Sequence, residues 1–348
     1  MTLAQASVMA CATADDPYVV AFAAKRASAV DRVLPVLARR LPVDTARALR
    51  AALEEFASLG EAERRAVVTA PLFGYWWHRL CVDYRRGEFT ALADWVGHLR
   101  RFLEPVRDDL SPDSVELRGG ILLGADHPWI HEYVRTANGN TRAEGGRGDV
   151  TPVPPDEVRP DLARALALID DVWPAFGEEV TRLVRLIVPF TSADTVAFSN
   201  SVLDGLLFLR ADLADPVVAT ERLVHETSHL RLNAVFDLYR VHEHGPEERL
   251  HSPYRKVPRP VDGLYHGAFV FARIAQFHLR AHRRLGEDRW LHRLVEVLDM
   301  QREALDLLRD SVRLTPFGQV AYEEFRRATE AVAHDAFDKT GSTGSTDA

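Results

Sequence analysis

The sequence predicts a mainly α-helical protein with a minor β component, and three observations carry that prediction. From about Tyr18 to Val106, apolar residues recur three and four apart among abundant Ala, Leu, Arg and Glu, which is the helical period in residues that favour it. Only short β-branched or aromatic runs interrupt the helical pattern. The third observation is Asp215 followed by Pro216, an N-cap ahead of a first helical residue that wastes no N–H. The expected architecture is a helical N-terminal half and a helical C-terminal half that includes a short hairpin.

Taken in order, the N-terminal helical region covers residues 1–136. Its aromatic cluster, Phe73, Tyr75, Trp76 and Trp77, reads as a helix anchoring bulky side chains in the core, with His78 as a core or boundary histidine. Val115 to Gly124 has β character. His127 and His131 repeat an i, i+4 spacing, but Pro128 and Trp129 lie between them without a carboxylate, so a turn into a short helix accounts for the stretch. Residues 137–160, rich in Gly, Asn, Pro and charge, predict a loop or linker. The C-terminal region is expected over 161–338: a helix from about Pro160 to Leu186, a hairpin of Val196–Ser199 and Leu206–Arg210 turned near Asp204 and Gly205, then the helix that begins at Asp215 and Pro216. A loop over 242–262 leads to a second apolar helix from Gly263 to about His282, with one or two more helices to Phe337. The Gly-, Ser- and Thr-rich end, 339–348, predicts a disordered tail.

Composition narrows the function. At 348 residues the chain can bury a large core, and a net charge of −8 disfavours nucleic acid as the main partner, since phosphate binding requires a basic excess. With only Cys11 and Cys81, neither a disulfide framework nor a cysteine-based metal centre is expected. No apolar run approaches the roughly 20 residues of a membrane span, and Gln5, Asp15 and Asp16 interrupt the N-terminus, so no signal peptide is expected. A cytoplasmic protein without membrane partners is the expectation.

The chemistry lies in His225, Glu226 and His229. On a helix the two imidazoles turn to one face and can close on one ion, with a carboxylate between them. In metallopeptidases such a pair holds Zn(II) and the glutamate is the catalytic base. The third ligand then decides the class. A metzincin continues with Gly and His where this chain has Leu232 and Val235, and the gluzincin glutamate is missing from the body of the helix 263–282. That helix carries His266 instead, with Gly267 beside it leaving room for a metal or small ligand.

The ordered set His225, Glu226, His229, Asn233, Ala234, Asp237, Leu238, then Ser252, Pro253, Tyr254, Arg255, Pro258, Arg259, Pro260, then Gly263, His266 and Gly267 resembles the HExxH-type peptide-modification domain. The match spans roughly residues 220 to 280, with tyrosine at 254 where the family usually has tryptophan. The resemblance implies Fe(II)- and 2-oxoglutarate-dependent β-hydroxylation, using O₂, of a residue in a ribosomally synthesised precursor peptide. It is compatible with His225, His229 and His266 as metal ligands. A diacid cosubstrate also requires a cation, for which Arg255, Arg259 and Arg273 are the candidates; Arg273 falls about 10 Å along the helix from His266. Glu226 has no hydrolytic duty in an oxygenase and could bind metal, orient a ligand or position the substrate. Two alternatives stay open: a zinc-dependent metallopeptidase with Glu226 as base, and a non-catalytic peptide-binding protein with a structural metal.

Overall fold

The structure, a computed structural model, describes residues 6–13, 15–103, 114–124, 127–141 and 150–337. Helices occupy 66% and strands 10% of the described residues, so the chain is mainly α with a minor β component. The predicted tail lies outside the described residues. The chain divides into two compact units, one from the described residues of 15–160 with 183–211, the other from 6–13, 161–182 and 212–337. The units therefore interleave along the chain. The strands that precede the histidine motif belong with the N-terminal helices.

The first unit opens with α1 (Pro17–Ala38), α2 (Val43–Ser58), α3 (Glu61–Val68), α4 (Phe73–Arg86), α5 (Phe89–Gly97) and α6 (Leu99–Leu103). Asp16 caps α1 by accepting the Tyr18 and Val19 N–H groups, and Pro17 takes the first helical position. Leu34, Leu49, Phe56, Trp76 and Leu80 close the core between these helices. Phe73, Tyr75 and Trp76 of the α4 aromatic cluster are buried as the pattern predicts, Trp77 is half-buried, and the Trp76 indole N–H donates to the Trp95 carbonyl at 2.6 Å. His78 is not: it lies about 200° around the helix from Trp76 and is exposed.

The same unit contains β1 (Val115–Arg118), β2 (Ile121–Leu123), α7 (Pro128–Thr141), β3 (Thr151–Pro152) and, after residue 183, β4, β5 and β6. His127 ends in the expected turn into α7; its Nδ1 accepts the Trp129 N–H. Residues 137–141, expected as loop, continue α7, because Asn and Gly cost a helix at most about 1 kcal/mol each and no proline stops it. Strand β4 (Leu186–Thr191) is central, parallel to both β2 and β6 (Leu206–Arg210), while β5 (Ala197–Ser199) runs antiparallel to β6. Burial on both faces explains why Leu186–Val188 reads as an unbroken apolar run. The expected hairpin is present, turned at Gly205 with φ +79°.

The second unit contains α8 (Arg159–Val172), α9 (Pro174–Leu183), α10 (Pro216–Leu238), β7 (Arg249–Leu250), β8 (Arg259–Pro260), α11 (Val261–Leu285), α12 (Asp288–Ser311) and α13 (Pro316–Phe337). Where one helix was expected from Pro160 to Leu186 there are two, since Pro174 cannot donate to the preceding turn. Helix α11 is the axis of this unit: Leu264, Ala268, Phe269, Ala272, Ile274, Ala275 and Phe277 are fully enclosed by its neighbours. Helix α13 approaches so closely that a Cβ at Gly318 would sit 1.8 Å from the Val241 carbonyl oxygen. Among the described residues no helix is long and apolar enough to cross a membrane.

Candidate metal centre

Helix α10 starts as its sequence predicts, with Asp215 Oδ1 accepting the Val217 N–H at 2.8 Å and Pro216 next. It buries more than one stripe: Leu223, Leu230 and Ala234 recur at helical spacing and are buried, Leu238 is only half-buried, and Val224, Leu232 and Val235 are enclosed as well. Burial on more than one side fixes where His225 and His229 point. The adjoining α11 carries His266 near its N-terminal end.

These three imidazoles meet. His225 Nε2 and His229 Nε2 are 3.1 Å apart, and His229 Nδ1 lies 3.0 Å from His266 Nδ1. Each ring is half-buried, and burial is the leading reason that His225 and His266 are brought down to about 4 and His229 well below the ordinary histidine value. All three are therefore neutral at pH 7, the form that donates a lone pair to a metal. A separation of 3.1 Å suits two nitrogens each about 2.1 Å from one ion, so the His225–His229 pair fits a divalent metal. The third ring does not yet converge. His229 turns a different nitrogen to each neighbour, and among the described residues no group of three His, Cys, Asp or Glu side chains is arranged to hold an ion. A three-imidazole set would need another arrangement of these rings than the one present.

Apolar walls surround the trio. Phe271 presents its edge geometry to His225 with centroids 5.7 Å apart, and Phe236 does the same to His266 at 4.5 Å. Glu226, between the two histidines, is only 3% exposed. Beneath the site, His278 Nε2 lies 2.8 Å from Glu221, which also takes two bonds from Arg293. Burial alone would raise the Glu221 carboxyl, but the Arg293 and His278 bonds outweigh it and bring it to about 2. Glu221 stands four residues before His225, so the i, i+4 spacing that found the histidines also reaches this carboxylate; its partners, far away in sequence, carry no such signal.

The three candidate arginines separate. Arg273 is fully buried and donates Nη1 and Nη2 to the two Glu179 oxygens at 2.6 and 2.7 Å, over the Phe176 ring. Its fork is filled, so Arg273 is a core ion pair and not the cosubstrate cation. Helical spacing placed it on the face of His266, but the direction it takes was set by α9, which a spacing argument does not include. Arg255 and Arg259, on the loop before α11, both lower the His225 and His229 values through their charge, and Arg259 that of His266 as well. Arg255 is exposed and Arg259 half-buried.

Gly267 also differs from expectation. The room it leaves is filled by Tyr254: a Cβ at 267 would lie 2.3 Å from Tyr254 Cε2. That ring stacks on Phe271 with centroids 4.3 Å apart, and its hydroxyl donates to Gln301 Oε1 at 2.6 Å.

No family model matches the chain, and no curated protein does.

Proposed function

We propose that this chain is a cytoplasmic Fe(II)- and 2-oxoglutarate-dependent dioxygenase that hydroxylates the β-carbon of a residue in a ribosomally synthesised precursor peptide. The observation that carries the reading is the meeting of three imidazoles from α10 and α11, within electrostatic reach of Arg255 and Arg259. His225 and His229 would hold the iron, with His266 as third ligand if the rings rearrange around it. Bound iron supplies the activation of O₂. In the overall reaction 2-oxoglutarate loses CO₂ and becomes succinate with one oxygen atom, while the other enters the peptide C–H bond as hydroxyl.

The protein's own part is placement and exclusion. Arg259, half-buried and electrostatically coupled to all three histidines, suits the far carboxylate of the cosubstrate, and exposed Arg255 is the second candidate. Phe236 and Phe271 keep the surroundings apolar, which strengthens the arginine–carboxylate attraction. The net charge of −8 agrees with a partner other than nucleic acid.

The test is incubation with Fe(II), 2-oxoglutarate, O₂ and the cognate precursor peptide. One added oxygen atom at a side-chain β-carbon with matching succinate is the expected result. Cleaved peptide with bound zinc, lost in Glu226→Gln, would overturn the reading in favour of the peptidase. Peptide held without mass change or succinate would favour the non-catalytic binder.

A further inference from the structure

We infer that Tyr254 is a positioning residue whose clamped ring holds the turn at 252–255 and the following strand, and with them Arg255 and Arg259, beside the histidine cluster. Three independent contacts fix the ring. Its face lies on Phe271 at 4.3 Å and 11°, its edge fills the space that Gly267 leaves, and its hydroxyl donates to Gln301 Oε1. Gln301 is itself fully buried and tied down, its amide donating to the Ala268 carbonyl at 2.8 Å. Tyr254 is thus bonded to α12 and stacked on α11, while Phe271 in turn meets His225 at 5.7 Å. The next residue is Arg255, whose N–H closes a turn on the Ser252 carbonyl at 3.2 Å.

The loop has few hydrogen bonds of its own, so Arg255, one residue from the ring, is placed mainly by this anchor, while Arg259 is held in addition by the β7–β8 pairing and lies over Gly263 of α11. Placement of the cations has two opposite consequences at the cluster. Two guanidinium groups near a metal site repel the metal and attract an anion brought beside it. Releasing the anchor therefore strengthens metal binding and weakens anion binding. General damage to the fold weakens both. The anion half of the inference rests on the proposed function; the metal half rests only on the histidine cluster.

The experiment compares wild type with Tyr254→Phe, Tyr254→Leu and Tyr254→Trp, using Co(II) as an oxygen-inert metal probe at low ionic strength. Co(II) affinity is read from its visible absorption, 2-oxoglutarate affinity of the Co(II)-loaded protein by calorimetry, and mobility of residues 249–260 by hydrogen exchange. Tyr254→Leu should speed exchange in 249–260, tighten Co(II) roughly two- to fivefold as the charges withdraw, and weaken 2-oxoglutarate about tenfold through loss of loop order. Tyr254→Phe, lacking one hydrogen bond, should fall between, and Tyr254→Trp should stay near wild type, because its ring covers Phe271 and its N–H reaches for Gln301. Unchanged exchange, or Co(II) binding that weakens or does not move in Tyr254→Leu, overturns the inference. Wild type that takes Co(II) but no 2-oxoglutarate, with the exchange and Co(II) changes as expected, overturns the proposed cosubstrate and leaves the positioning role standing.

Discussion

Arg273 and Glu179 form a two-point ion pair with neither side chain exposed. Burial opposes the arginine's charge, but the Glu179 carboxylate more than offsets it, and its pKa ends above the ordinary value. The Glu179 carboxylate also accepts the Ala12 N–H at 2.6 Å. Arg273→Ala should destabilise the protein by about 3–5 kcal/mol in urea melts, because Glu179 is left buried and charged. Arg273→Met with Glu179→Leu should recover most of that loss. Equal destabilisation by the single and double variants would show that packing, and not the orphaned charge, dominates.

The two loop arginines should behave differently. Arg259→Ala or Arg255→Ala, whichever grips the far carboxylate, should lose roughly 2–5 kcal/mol of 2-oxoglutarate binding, with lysine a partial substitute. The half-buried Arg259 is the expected one. Calorimetric titration of Co(II)-loaded protein checks this, and unchanged affinity in both variants would remove the loop from the cosubstrate site.

Metal binding should survive acid further than histidine sites usually do. With His225 and His266 brought to about 4 by burial, protons do not compete for them until the pH nears that value. Co(II) affinity should stay nearly flat from pH 8 to about 5.5, measured with a non-coordinating buffer, and His225→Ala or His229→Ala should abolish it. An affinity that falls steadily below pH 7 would contradict the burial argument.

Stability of the metal-free protein has the opposite pH sensitivity. In the unfolded chain these histidines take protons near pH 6.5, whereas the folded ones resist until about 4, so between those values the unfolded state binds more protons. Folding stability should be full above about pH 6.5 and decline as the pH falls, by up to about 3 kcal/mol per histidine at pH 4. Thermal melts of wild type and of a His225→Gln, His266→Gln double variant, compared across that range, isolate the contribution. A difference between the two proteins that does not change with pH would refute it.

Gly318→Ala should cost about 1–3 kcal/mol or more, since its Cβ would meet the Val241 carbonyl at 1.8 Å and α13 must shift to admit it. Guanidinium melts provide the number. A loss below about 0.5 kcal/mol would mean that α13 slides freely.

What the sequence by itself determined is local. The helical class, the Asp215–Pro216 start of α10, the turn at Gly205 and the common face of His225 and His229 all follow from spacings within a few residues, where backbone geometry alone sets direction. Tertiary structure decided everything that required a second element. It brought His266 to His229, turned Arg273 onto Glu179 instead of toward the cluster, and used Gly267 to seat Tyr254. It also gathered β4, β5 and β6 with the N-terminal helices, across the helices that separate them in the chain. A residue's position on its own helix follows from the 3.6-residue turn. Whether its charge meets a partner or a ligand depends on which helix packs opposite, a long-range choice made by burial of the whole core.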